Sequence, residues 1–526
     1  MTGGWTAGEE AAKDPLDRPD RPWWQGAVFY QIYPRSFLDT DGDGVGDLAG
    51  IRRRLPYLAR LGVDAIWLSP FYRSPMADFG YDVADFCDVD PLFGTLDDAR
   101  LLIAEAHEHG LRVIVDWVPD HTSSEHAWFA DARTSKTSEH RDWYVWRDPV
   151  DPADVPGPPP NRWMSAFTGG PAWTWDAASG QWYLHLFLPE QPDLDWHHPG
   201  VVAAMHDVLR FWLDLGVDGF RVDVVHLLGK DVPLGPDVED PKPSPYTHEL
   251  LRDIRRLVDA YEGERMLVGE VYIMSTRAVA EFYGDNDELH LAFNFPPLYA
   301  PWDAAAWRKR IERVREELDP CHAWPTWVLS NHDNPRHRSR YGSAGRARAA
   351  ARLLLGLRGT PFLYAGEELG LSDAPIPPER VVDPGGRDGC RAPIPWDAGP
   401  DHGWAADPWL PWPPEADGAD AATQEADGGS FLNLYRRALA ARRETAALRH
   451  GSFTWRPSPP GVLAWERRHG SHAVVVVVNF ADAPADLPDL AGGRWQVMVD
   501  SHPSAPVDAV FDGHLGPQQA VWLQPV

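Results

Sequence analysis

Eight short apolar segments alternate with helical patterns between residues 27 and 368, and this alternation limits the possible folds more than any other feature of the chain. They are AVFYQIYP (27–34), AIWLSP (65–70), RVIVDWV (112–118), GFRVDVV (219–225), MLVGEVY (266–272), LHLAFNF (289–295), TWVLSNHD (326–333) and TPFLYAGEE (360–368). Strands separated by helices do not pair through hairpins. They form a parallel sheet, and eight of them match a closed barrel coated by helices. The joints ARLGVDAIWL, HEHGLRVIV and LDLGVDGFRV each put a Gly between helix and strand, where a left-handed cap ends the helix. Thr95, followed by Asp97 and Asp98, starts a coating helix that runs to His109 with Leu101, Leu102, Ala104 and Ala106 behind it, and Ser430 starts another, expected to reach Gly451.

Two stretches interrupt the alternation, and both leave the C-terminal ends of strands, the barrel face where catalytic groups collect. Residues 121–195 are rich in Pro, Gly and Trp and read as a small inserted domain. Residues 374–429 form a second irregular wall after the eighth strand. From Ser452 the texture changes to short strands and turns. The expected fold is therefore α/β. A (β/α)8 TIM barrel covers 23–120 and 196–451, with the inserted domain after strand 3 and a C-terminal antiparallel β-sandwich over 452–526. Residues 1–22 are an N-terminal tail.

Composition narrows the function classes. Lys and Arg number 49 against 78 Asp and Glu, a formal charge of −29, which repels phosphate backbones and anionic lipid; neither nucleic acid nor membrane is an expected partner. Three scattered cysteines suit a reducing compartment, the acidic N-terminus carries no export signal, and the longest apolar run (473–480) is too short to span a bilayer, so a cytoplasmic location is expected. The 26 tryptophans, many beside Gly, Pro or Asp, offer flat amphipathic faces suited to sugar rings, although the same rings can also fill gaps in a Pro-rich protein.

Four carboxylates sit at the C-terminal side of strand segments: Asp116 in VIVDWV, Asp223 in GFRVDVV, Glu270 after MLVG and Asp333 in SNHD. Carboxylates gathered at one barrel mouth are costly unless they are paired or catalytic. Arg221, two residues before Asp223, shares its strand face and is expected to keep Asp223 ionised while Glu270 stays protonated. An ionised and a neutral carboxyl together are the apparatus of retaining glycoside hydrolysis. The competing reading is a structural ion-pair network.

The strings DWVPDH (116–121), GFRVDVVH (219–226), GEVY (269–272) and LSNHD (329–333) resemble, in order and spacing, the four conserved regions of the α-amylase family, glycoside hydrolase family 13. QIYPRSFLDTDGDGVGDLAGI (31–51), QPDLDW (191–196) and GRDGCRAPIPW (386–396) narrow the resemblance to the oligo-1,6-glucosidase and α-glucosidase branch. The resemblance implies Asp223 as nucleophile, Glu270 as general acid/base and Asp333 as the carboxylate that holds the ring hydroxyls. It further implies His121 and His332 as hydroxyl ligands, Asp78 and Tyr81 closing around the non-reducing-end glucose, Phe167 and Gln191 as walls from the inserted domain, and Arg391 as the substrate-gating arginine. The implied activity is an exo-α-glucosidase on short α-1,4- or α-1,6-glucosides. A transglucosylase or sucrose-type isomerase is the alternative, and a non-catalytic binding subunit the remote one. Val224 after the nucleophile leaves linkage preference open.

The run Asp39–Asp47 sets oxygen ligands at alternate positions with Gly44 sixth, as in a calcium loop, but position twelve is Gly50 and supplies no bidentate carboxylate. The family's similar loop implies a structural Ca²⁺ or Mg²⁺ held by Asp39, Asp41, Asp43, the Val45 carbonyl and Asp47. No organic cofactor is expected. Asp120 stands where many family members carry Asn, an exchange expected to alter either a hydrogen bond behind the site or the barrel–insert metal contact of the amylases.

Overall fold

The computed structural model describes residues 21–235, 242–491, 494–503 and 509–526, so the N-terminal tail lies outside them up to residue 20. All eight expected strands are present: β1 (Phe29–Ile32), β2 (Ala65–Leu68), β3 (Arg112–Trp117), β4 (Gly219–Val222), β5 (Met266–Gly269), β6 (Leu291–Ala292), β7 (Thr326–Val328) and β8 (Thr360–Tyr364). They form one parallel sheet in the order β6-β5-β4-β3-β2-β1-β8-β7. Between β6 and β7 no backbone ladder forms. A side chain bridges the gap there: Thr326 Oγ1 donates to the Ala292 carbonyl at 2.7 Å.

Helices coat the barrel: α1 (Leu48–Leu61), α2 (Leu96–Glu108), α3 (Pro199–Leu215), α4 (Pro245–Asp259), α5 (Ala304–Leu318), α6 (Ala344–Gly356) and α7 (Phe431–Glu444). α1 and α3 end on Gly62 (φ 100°) and Gly216 (φ 110°), the left-handed caps read from the sequence. Thr95 makes a full capping box with Asp98 at the start of α2. Two details of the helices differ from expectation. Leu101 and Ala104 are exposed, because α2 packs through Ala99, Leu102, Ile103 and Ala106. The helix read over 430–451 breaks at Thr445, whose backbone is extended (φ −111°, ψ 103°), and restarts as a short turn at Ala446.

The period of two along each strand decides what faces the site. In β3, Val113, Val115 and Trp117 pack outward under the helices, while Ile114 and then Asp116 turn into the barrel. In β4, Phe220 and Val222 pack outward and Arg221 turns inward; in β5, Met266 and Val268 face inward ahead of Glu270. The lower barrel is closed by aromatic packing, with Phe29 stacked on Phe362 at 4.5 Å and Phe293 edge-on to Phe362 at 4.8 Å. That plug leaves the polar layer above it as the floor of a cavity.

The segment after β3 carries a three-stranded sheet of its own (Trp146–Arg147, Gln181–Leu184, Trp173–Asp176). Its ends are tied by bridges between His121 and Asp193 and between Tyr144 and Leu194. The C-terminal region is a five-stranded antiparallel sheet with a two-stranded ribbon packed on its outer apolar face. Its inner face meets α6, where Trp465 Nε1 donates to the Gly356 carbonyl and Trp522 Nε1 to that of Arg352.

Candidate active site

A cavity of about 500 Å³ opens at the C-terminal mouth of the barrel, large enough for a small saccharide. Asp78, Tyr81, His121, Phe167, Gln191, Asp223, Glu270 and Asp333 all line it. A larger hollow of about 1260 Å³ on the inserted segment, near Trp146 and Leu234, contains none of Asp116, Asp223, Glu270 and Asp333.

Asp223 and Glu270 are held by one guanidinium. Arg221 Nη1 donates to Asp223 Oδ1 at 2.5 Å and to Asp116 Oδ1 at 2.6 Å, and its Nη2 lies 2.8 Å from Glu270 Oε2. The backbone N–H of Val224 donates to the same Glu270 oxygen at 3.1 Å. Val224 itself sits at φ 34°, a left-handed conformation costly for a β-branched residue and typical of strain stored at a functional site. Among the described residues no hydrogen bond reaches Oδ2 of Asp223 or Oε1 of Glu270. One oxygen of each carboxyl is therefore left for a ligand.

The protonation pattern differs from the one read from the sequence. Burial pushes Asp223 well above the usual carboxylate range; Arg221 opposes the rise, and Glu270 and Asp116 add to it. Burial also pushes Asp116 up to about 6 against Arg221. The sequence placed one arginine beside one aspartate. Here one guanidinium serves three buried acids, and its charge is shared among them.

Opposite this cluster, Arg387 Nη2 donates to Asp78 Oδ1 at 2.5 Å and Nη1 to Asp333 Oδ1 at 3.0 Å. Its guanidinium lies 4.6 Å above the Phe167 ring and also bonds Asp383. Burial opposes ionisation of Asp333, but the surrounding cations prevail and hold its carboxyl below the usual range. His332 contributes no charge near neutrality, since burial pushes it down to about 3; Arg387 and Arg391 are the cations that act.

Arg391 is a correction. It is fully buried and does not line the cavity; it braces the strand end from behind through the His332 carbonyl (2.8 Å), Asp383 (3.2 Å) and Asp333 (3.3 Å). The arginine at the mouth is Arg387, four residues earlier in the same GRDGCR string. Sequence reasoning missed it, together with Asp383, His226, Tyr272 and Tyr299. The last two hydroxyls lie 3.1 Å apart beside Glu270, and Tyr299 donates to Asn334 at 2.6 Å.

Of the remaining expected residues, Tyr81, His121 and Gln191 line the cavity, while His332 is buried behind Tyr81. Tyr81 stacks on His332 at 5.4 Å, with its hydroxyl 2.7 Å from Nε2. Gln191 Nε2 donates to Asp78 Oδ2 at 3.2 Å and lies 3.0 Å from His121 Nε2. Behind His121, the buried Lys230 ammonium bonds Asp120 and lies 3.2 Å from Asp193, so the unusual Asp120 is matched by a lysine cation joining barrel and insert.

In the Asp39–Asp47 loop three of the expected carboxylates converge. Oxygens of Asp39, Asp41 and Asp43 lie within 4.8 Å of one another. Asp47 is occupied otherwise: Oδ1 caps α1 by accepting from Gly50 N at 2.6 Å, and Oδ2 accepts from Thr40 N at 2.7 Å. The Val45 N–H bonds Asp43 Oδ1 at 2.8 Å. Gly44 (φ 83°) leaves no room for a side chain, since a Cβ would sit 2.4 Å from the Asp407 carbonyl.

Opposed carboxylates around a hexose-sized hollow, floored by hydroxyl-binding groups, define the site of a glycosidase. Residues 31–451 match the model of the α-amylase catalytic domain. The chain is 42% identical to a probable α-glucosidase of Rhizobium meliloti, covering 89% of this chain and 91% of that protein. It is 34% identical to an oligo-1,6-glucosidase of Parageobacillus thermoglucosidasius, over 88% and 91%. Among solved structures, an α-glucosyl transfer enzyme, XgtA, superposes with a TM-score of 0.88 at 39% identity, covering 96% of this chain and all of that one. The chain belongs to the α-amylase family, glycoside hydrolase family 13.

Proposed function

We propose that this glycosidase is a retaining exo-α-glucosidase that removes glucose from the non-reducing end of short α-1,4- or α-1,6-glucosides. The observation that carries this reading is the Arg387–Asp78–Asp333 linkage, which ties together three residues lining the same cavity as Asp223 and Glu270 and forms part of its wall. A walled end admits one ring, so cleavage is exo, and buried donors around it discriminate between hydroxyl epimers.

In the proposed reaction Oδ2 of Asp223 attacks the anomeric carbon as Glu270 gives its proton to the glycosidic oxygen, releasing the aglycone and leaving a glucosyl ester. Glu270, now ionised, takes a proton from water, whose oxygen displaces Asp223 and frees α-glucose. Before the first step the proton of the acid cluster must lie on Glu270. Arg221 favours the ionised partner, Asp223, once a substrate oxygen faces Glu270.

A second reading has specific support. The Tyr272–Tyr299 pair beside Glu270 offers an aromatic seat to an acceptor that competes with water, and XgtA is named for glucosyl transfer. Maltose, isomaltose, sucrose and trehalose, each followed by NMR, separate the readings. Initial release of α-glucose supports exo-hydrolysis with retention; new disaccharides at low conversion support transfer; initial β-glucose contradicts both.

The Asp39–Asp41–Asp43 cluster fits a structural Ca²⁺ or Mg²⁺, next to Asp47, which also caps α1. Asp43 is raised by burial and by its two neighbours, a repulsion that a divalent cation relieves. The proposed location is cytoplasmic, a reading supported by three unpaired cysteines. Among the described residues no helix is long and apolar enough to cross a membrane.

A further inference from the structure

Beneath the catalytic carboxylates lies a second, much smaller cavity of about 10 Å³. Its apolar walls include Trp67, Phe293 and Val328; its polar walls include Arg221, Asn294 and Glu270. That volume is about the least that holds one water.

Two donors on residues that line this cavity have no protein acceptor. Arg221 commits Nη1 to Asp116 and Asp223 and Nη2 to Glu270, which leaves its Nε–H buried and unmatched. The Nδ2 of Asn294 is likewise buried and unmatched, although its Oδ1 accepts from Thr276 Oγ1 at 3.3 Å. Buried donors on a guanidinium and a carboxamide are rarely left unsatisfied in a folded protein.

We infer that this cavity binds one ordered water, accepting from Arg221 Nε and Asn294 Nδ2 and donating to Glu270, and that Asn294 thereby acts as a positioning residue for the Arg221–Glu270 pair. A halide could satisfy the same two donors. Three acids already surround the single guanidinium here, so a further anion enters against a negative field, whereas water is neutral and can also donate. The plane of Arg221 decides which oxygens of Asp223 and Glu270 stay open to a ligand. A water fixing Nε fixes that plane.

The inference rests on Glu270 being the acid/base, so its test has one readout independent of turnover. In a high-resolution crystal structure of the full chain, grown in bromide, the expected result is a water peak within hydrogen-bond distance of both donors and no anomalous bromide signal there. An empty cavity or a bromide peak overturns the inference. Asn294→Leu, which replaces the amide with methyls of similar volume, is expected to remove that peak and lower kcat about tenfold, with KM changed by less than about twofold. Thr276→Val breaks the other Asn294 contact without reaching the cavity and is expected to leave kcat unchanged. Undiminished kcat in N294L, or an equal loss in T276V, refutes the positioning role. A water peak in a protein that turns over no α-glucoside would instead keep the site and remove the proposed function.

Discussion

Arg387 Nη2 and Asp78 Oδ1 meet at 2.5 Å across 309 residues of chain, joining the loop after β8 to the loop after β2 over the end of the cavity. The same guanidinium holds Asp333 and stacks on Phe167. Arg387→Ala is expected to lower kcat/KM for maltose by about 10³, because it opens the wall and leaves buried Asp78 without its cation. Arg387→Lys keeps the charge but loses the fork, and recovers only a small part. A loss in R387A below about fivefold contradicts the assignment.

The Lys230 ammonium bridges buried Asp120 and Asp193. Lys230→Met leaves two carboxylates uncompensated and is expected to cost about 3–5 kcal/mol in denaturant unfolding. Adding Asp193→Asn to that variant should restore part of the loss, since burial already pushes Asp193 up to about 6 despite the lysine. If the double variant is no more stable than K230M, the triad is not the joint between barrel and insert.

Glu367, at the end of β8, gives a pH dependence with a definite sign. Burial pushes its carboxyl from 4.5 up to about 8, and its Oε1 has no hydrogen-bond partner. The native state therefore keeps a proton that the unfolded chain releases between pH 4.5 and 8. This group's contribution is intact below 4.5 and is lost as pH rises towards 8. Glu367→Gln is neutral throughout, so thermal unfolding should match the parent near pH 5 and occur several degrees higher at pH 8. The opposite order at pH 8 contradicts the assignment.

Chelation tests the acidic loop. Treatment with EDTA is expected to lower the unfolding temperature by a few degrees, and Ca²⁺ or Mg²⁺ to restore it. Asp41→Asn should shrink both shifts, while Asp47→Asn should lower stability whether or not metal is present, because Asp47 caps α1. A chelator-insensitive transition in the parent removes the proposed ion.

The sequence carried what depends on spacing. The period of two along β3, β4 and β5 turned Asp116, Arg221 and Glu270 inward, and the glycines at 62 and 216 ended their helices as read. It did not carry what depends on loop paths. Arg387 and Arg391 share one aperiodic string, and only the fold shows that the first meets Asp78 while the second is buried behind Asp333. Lys230 stands 110 residues from Asp120, with no pattern linking them. The protonation of Asp223 was misread for a related reason, since the cost of sharing Arg221 appears only when Asp116 and Glu270 arrive from other strands.

The nucleophilic role of Asp223 is the claim on which the mechanism turns, and covalent trapping tests it most directly. Incubation with 5-fluoro-α-D-glucopyranosyl fluoride, followed by peptic digestion and mass spectrometry, should place one fluoroglucosyl group on the peptide carrying Asp223, with fragmentation locating it on that side chain. A label on Glu270, on Asp333 or on no residue at all, in protein still active before treatment, would contradict the account.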